Sequence, residues 1–145
     1  MTVSSVDDLR ALPLFAEVSD AGLERLAGCV AELEREPGQV VALPGDPGSG
    51  MFVICEGTVS VELRGDEPIE LKEGNFFGEL ALLTSQATRI GRVRAASRVR
   101  LLSIPREDAL ALVESEPSVA LMMLKEIARR FAGVPSTRNP WQIPS

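Results

Sequence analysis

Residues Gly50-Met51-Phe52-Val53-Ile54-Cys55-Glu56-Gly57-Thr58-Val59-Ser60-Val61-Glu62-Leu63 hold two runs of β-branched and apolar residues separated by a glycine. Such runs have the composition of strands, and the glycine falls where a turn needs freedom of φ. The same rhythm extends in both directions. Residues 40–43 lie upstream and residues 69–71, 92–95 and 99–104 downstream, with Gly45, Gly48, Gly65, Gly74 and Gly78 between or beside them. Many short strands punctuated by turns predict a closed barrel or jelly roll over about residues 39–104, not a parallel sheet.

Both flanks read differently. Ser5 with Asp8 three residues on has the pattern of a capping box, and Ser19-Asp20 begins a second helix in which Leu23, Leu26, Ala27, Val30 and Leu33 share one stripe. Pro37-Gly38 then ends the helical period, so helices are expected over about residues 5–35. After Pro105, the spacing of Ala109, Leu110 and Val113 predicts one helix. Pro117 opens another, with Leu121, Leu124, Ile127, Ala128 and Phe131 on one face. That stripe and the Phe76-Phe77 pair are expected in the core. The fold class is mainly β with flanking helices, α+β in character. One domain is expected over residues 1–133, with C-terminal helices at about 106–132 and a tail at 134–145 that holds prolines and no helical pattern.

Composition removes most chemistry. The 145 residues carry 15 Lys plus Arg against 21 Asp plus Glu, a formal charge of -6, so no net basic field draws nucleic acid or anionic lipid. There is no histidine, which excludes His-based zinc sites, Ser-His-Asp or Cys-His catalysis and the two-histidine iron site. The two cysteines, Cys29 and Cys55, are too few for a four-cysteine metal site and are expected as buried reduced thiols. Met1-Thr2-Val3-Ser4-Ser5-Val6-Asp7-Asp8 lacks the basic and apolar regions of a signal peptide, and no apolar run approaches membrane length. A cytoplasmic, non-enzymatic protein without metal, membrane or nucleic-acid partner is the expectation.

One stretch breaks the strand rhythm. Phe76-Phe77-Gly78-Glu79-Leu80-Ala81-Leu82-Leu83 is followed by a polar link and Arg89. A helical turn starting at Glu79 would leave the N–H groups of Leu80 and Ala81 without helical partners, which suits a phosphate-type anion. Gly78 lets a ligand approach the backbone. Arg89 can offer two parallel donors to phosphate oxygens with a charge that does not titrate away. Glu79 would be repelled by phosphate but suits sugar hydroxyls that donate to it, so the group points to a ribose phosphate.

Here the sequence resembles the cyclic nucleotide-binding domain family of catabolite activator-type regulators, protein kinase A regulatory subunits and cyclic nucleotide-gated channels. Phe77-Gly78-Glu79-Leu80-Ala81-Leu82-Leu83, then Arg89 and Val93, look like its phosphate-binding cassette. Leu12-Pro13-Leu14-Phe15, Gly50 through Gly57, and Ala128-Arg129-Arg130-Phe131 agree with its flanks. The resemblance, over about residues 10–132, implies an eight-stranded antiparallel jelly-roll barrel with N-terminal and C-terminal helices. It also implies binding of a 3′,5′-cyclic nucleotide. By similarity Glu79 would take the ribose 2′-hydroxyl, Arg89 the cyclic phosphate, and the backbone of Gly78, Leu80 and Ala81 the remaining oxygens. Ile90-Gly91 stands where the family usually has a small or hydroxyl residue and then alanine. A hydroxyl there can reach the phosphate or the guanine amino group, so Ile90 favours cAMP over cGMP. Catabolite activator-type regulators continue into a DNA-reading domain, whereas this chain breaks at Gly133-Val134-Pro135. A stand-alone sensor is therefore expected, acting in trans on a protein effector or as a homodimer.

Three further readings follow. Trp141, alone of its kind, could cover the base from the tail or simply pack on the barrel. Arg92, Arg94, Arg98 and Arg100 alternate with apolar residues and are expected on one outer face of a hairpin, paired with nearby glutamates. The alternative function is a degenerate barrel that serves as a protein-interaction module without ligand. A cupin-type metal enzyme lacks its histidine ligands.

Overall fold

The computed structural model describes residues 5–42, 50–62, 67–78 and 92–132. Ser5 caps α1 (Val6–Arg10) by accepting from the Asp8 N–H at 3.1 Å, and Ser19 caps α2 (Asp20–Ala27) by accepting from the Gly22 N–H at 3.1 Å. A 3-10 turn at Pro13–Phe15 joins them. Among the described residues eight strands follow: β1 (Ala31–Arg35), β2 (Val40–Ala42), β3 (Gly50–Glu56), β4 (Val59–Glu62), β5 (Ile69–Leu71), β6 (Phe76–Phe77), β7 (Arg92–Ala95) and β8 (Val99–Pro105). Two helices close the described chain, α3 (Arg106–Ser115) and α4 (Pro117–Ala132).

The strands form two antiparallel sheets of four, ordered β1-β8-β3-β6 and β2-β7-β4-β5. The unbroken apolar run of β3 has a reason in this arrangement. Met51 and Val53 face the helices, joining Leu102 and Ile104 of β8 and the buried Leu9, Phe15, Leu23, Ala109, Val119 and Met123. Phe52 and Ile54 point the other way, into a second core with Val59, Leu71, Phe77, Val93 and Leu101. A strand buried on both faces carries apolar residues at every position instead of every second one. Its first residue, Gly50, is required by close approach, since a Cβ there would lie 1.9 Å from the Ile104 carbonyl oxygen of β8.

Four expectations are corrected. Residues 31–35, read as the end of a helical stripe, form strand β1, which pairs with β8 from Ala31↔Ser103 to Arg35↔Val99. Leu121 and Leu124, expected in the core, are 51% and 64% exposed. α4 is apolar on two faces, and the one that packs carries Val119 and Met123 four residues apart. The four arginines do not share one hairpin face, because β7 and β8 belong to different sheets. Arg92 and Arg94 both bind Glu62 of β4, while Arg98 pairs with Glu34 and Glu36 and Arg100 with Glu32 and Glu56. The cysteines are free and half-buried rather than fully buried. Burial pushes the Cys55 thiol up to about 11, and burial, then Asp108, raises Cys29, so both stay protonated and unreactive at neutral pH.

Glu116, between α3 and α4, ties the helical layer together: its Oε1 accepts from the Ser19 N–H at 2.6 Å. The Ser19 hydroxyl, then its backbone N–H, hold the Glu116 carboxyl below the ordinary glutamate range. A lowered native pKa adds stability above the unfolded value that is lost as pH falls through the native one. Glu116→Gln is thus expected to lower the urea midpoint at pH 7, with the gap to wild type beginning to narrow near pH 4, about the ordinary glutamate value, and closing only below it, as the native carboxylate is protonated. Parallel urea titrations across that range check it, and a gap independent of pH would show that the charge is not what counts.

Candidate functional site

The stretch singled out for ligand chemistry is framed at both ends by described structure. On the entry side, β6 is only two residues long and pairs with β3 through Phe52↔Phe77 and Val53↔Phe76. The turn before it is seated on β3 as well, with the Gly74 N–H donating to the Ile54 carbonyl and the Ile54 N–H donating to the Asn75 carbonyl, both at 2.8 Å. β6 sends one ring into each core. Phe76, 3% exposed, lies among the helices and β3, and Phe77 stacks on Phe52 between the sheets with ring centroids 5.0 Å apart. Both rings are core residues, as their apolar character predicts. Gly78 follows with φ +90°, a conformation glycine adopts without the steric cost of a Cβ.

On the exit side, Arg92 opens β7 in the other sheet. Its Nε and Nη2 donate to the two carboxylate oxygens of Glu62 at 3.1 and 3.0 Å, while Arg94 Nε donates to Oε1 at 3.2 Å. Arg94 Nη1 also donates to the Gly38 carbonyl at 2.9 Å, fastening the approach to β2. The Arg92 guanidinium first, then that of Arg94, hold the Glu62 carboxyl below the usual range. The guanidiniums of Arg92 and Arg94, just after residues 79–91 in sequence, are thus engaged by protein groups and orient β7. α4 contributes on the entry side, where Arg130 Nη2 donates to the Phe76 carbonyl and the guanidinium lies 4.8 Å from the centroid of the Phe76 ring.

Of the residues expected to bind ligand, Gly78 is described as above. Glu79, Leu80, Ala81, Arg89, Ile90 and the lid residue Trp141 lie outside the described residues. Reading the sequence missed the Glu62 clamp and the Arg130 contact. Both join residues far apart in the chain, and only the alternating arginines of residues 92–94 hinted at the first.

The two four-stranded antiparallel sheets, with helices packed on one of them and a short strand ending at Gly78 before the motif, form a β-sandwich. The chain belongs to the cyclic nucleotide-binding domain family, whose sequence profile matches residues 32–116. It is 37% identical over 125 residues to a cyclic nucleotide-gated potassium channel of Rhizobium etli, a match covering 86% of this chain and 35% of the channel. The chain therefore spans about a third of that relative's length. The sensor domain of a transcriptional regulator from Pseudomonas aeruginosa has the same fold, with a TM-score of 0.70 at 20% identity over 90% of this chain and 92% of that one. A cAMP-binding acyltransferase from Mycobacterium smegmatis is similar with a TM-score of 0.71 at 27% identity, over 86% of this chain and 41% of the enzyme. Among the described residues, no helix is long and apolar enough to cross a membrane.

Proposed function

We propose that this protein is a non-catalytic cyclic nucleotide sensor of the cytoplasm that binds cAMP in preference to cGMP. The observation that carries the reading is that residues 79–91 follow in sequence a strand anchored in both cores and ended by a glycine at φ +90°, and precede a strand fixed by the Glu62 clamp. Fixing the residues on either side of a ligand-binding segment lowers the entropic cost of binding. Arg89 binds the cyclic phosphate, Glu79 accepts from the ribose 2′-hydroxyl, and the backbone of Gly78, Leu80 and Ala81 serves the remaining oxygens. Ile90, without a hydroxyl, offers nothing to the guanine amino group. The two sheets close around this site as one jelly-roll barrel. Names of relatives support the ligand class, one channel being cyclic nucleotide-gated and one acyltransferase cAMP-binding. The output is read by a protein effector or a second copy of the chain.

Isothermal titration of nucleotide-free protein with cAMP and then cGMP tests the reading. Saturable heat with the lower Kd for cAMP is expected. No heat with either would overturn it in favour of an interaction module that keeps the fold without the ligand. The tail enters here too: Trp141 stacks on the purine, an interaction worth about 1–3 kcal/mol by analogy with other base–aromatic stacks. Trp141→Ala is expected to raise the Kd about 5- to 150-fold. Tryptophan fluorescence should change on saturation, and an unchanged spectrum would remove Trp141 from the site.

A further inference from the structure

We infer that Arg130 is a positioning residue for the nucleotide site, bracing the strand that leads into it against α4; this rests on the cyclic nucleotide reading above. β6 has one hydrogen-bonded strand neighbour among the described residues, β3, and is two residues long, so on its own it is weakly held. Arg130 supplies what a second neighbour would. Its Nη2 donates to the Phe76 carbonyl, and its guanidinium lies over the Phe76 ring at 4.8 Å from the centroid. The arginine is itself oriented: Nε lies 3.7 Å from Glu126 Oε2 one turn earlier in α4, and the Arg130 side chain is 16% exposed. Glu126, 14% exposed, is also gripped by Arg129, whose Nη2 donates to Oε2 at 2.6 Å.

The brace ends two residues before Gly78, so α4 and the entry to the ligand segment share one side chain. A guanidinium this far out of water tolerates few alternative positions, because each must supply both an anion and an acceptor. Moving the end of α4 then means moving Arg130, and with it the carbonyl and ring of Phe76. By reciprocity, whatever fixes residues after Gly78 in a bound arrangement also biases α4. The brace is closed in the structure.

The test compares wild type, Arg130→Met and Arg130→Lys by titration with cAMP and by hydrogen exchange of peptides covering residues 75–78 and 117–132, with and without saturating cAMP. For Arg130→Met we expect a Kd raised about tenfold, within the roughly 5- to 150-fold usual for coupled sites. Exchange in both peptides should be faster, and the nucleotide-induced change across 117–132 lost. Arg130→Lys keeps a cation over the ring and one donor, and is expected to recover part of the affinity and of that response. A Kd within twofold of wild type overturns the inference, as does a raised Kd with the nucleotide-induced change across 117–132 intact, which marks a merely structural role. Should Arg130→Met not fold, Arg130→Lys and Glu126→Gln carry the same comparison, and wild-type values in both would overturn it. If wild type takes up no cyclic nucleotide, the binding reading fails separately. Exchange in the free proteins then decides the brace, faster at 75–78 in the variants supporting it and unchanged exchange refuting it.

Discussion

Arg89→Ala is expected to raise the Kd for cAMP by about 30-fold to several thousand-fold, the cost of leaving one charge of a close pair without its partner. The argument needs three properties of the side chain together. Its charge persists at every physiological pH, its planar fork matches two oxygens of one phosphate, and its weak hydration makes leaving water less costly than it is for an ammonium. Arg89→Lys keeps the first property and loses the fork, so it is expected to fall between wild type and alanine. The cyclic phosphate carries one negative charge whichever base is attached, so cAMP and cGMP should lose affinity by similar factors. A base-specific loss would instead place Arg89 near the purine. Isothermal titration with both nucleotides, alongside urea unfolding of the free variants, separates lost contacts from lost folding. Affinity within threefold of wild type in Arg89→Ala, with an unaltered unfolding midpoint, would remove the arginine from the phosphate site.

How readily each part of the molecule could be read from sequence follows from where its determinants lie. β3 and β8 were legible because two-sided burial writes itself as unbroken apolar runs, Met51 to Ile54 in one strand and Leu101 with Leu102 in the other. β1 was not. Ala31-Glu32-Leu33-Glu34-Arg35 consists of good helix formers, and its strand state is decided by β8, more than 60 residues away, where Arg100 pairs with Glu32 and Arg98, just before the strand, with Glu34. β6 is too short to show any period, and only its place beside β3 makes it a strand. The outward Leu121 and Leu124 show a different failure. A helix with leucines on one face and Val119 and Met123 on another leaves periodicity unable to say which face the protein covers. For the candidate site, the motif from Gly78 to Arg89 is local in sequence and could be picked out from residue types alone. The Glu62 clamp and the Arg130 brace, which hold its ends, span 30 and 54 residues and exist only once the sheets and α4 have assembled.

The largest expected effect on folding comes from Phe15, which is 0% exposed in the 3-10 turn at Pro13–Phe15 and belongs to the core formed by all the helices and β3. Phe15→Ala deletes a ring from a site closed on every side, and such truncations cost about 3–5 kcal/mol. Against a total stability of roughly 5–15 kcal/mol, that is about a fifth at the least of what keeps a domain of this size folded. The melting midpoint by circular dichroism is expected to fall by roughly 10–20 °C. Phe15→Leu, which refills most of the volume, should lose only about 1–2 kcal/mol. The position also tests how the two cores are linked. The 3-10 turn packs against α4, whose far end reaches Phe76 through Arg130, whereas Phe52, Ile54, Val59 and Leu71 fill the separate core between the sheets. Hydrogen exchange on Phe15→Ala should therefore quicken first across α1, α2 and α4 and last in β4, β7 and the inner residues of β8. Uniform acceleration in every strand and helix would mean that the two cores melt as one unit.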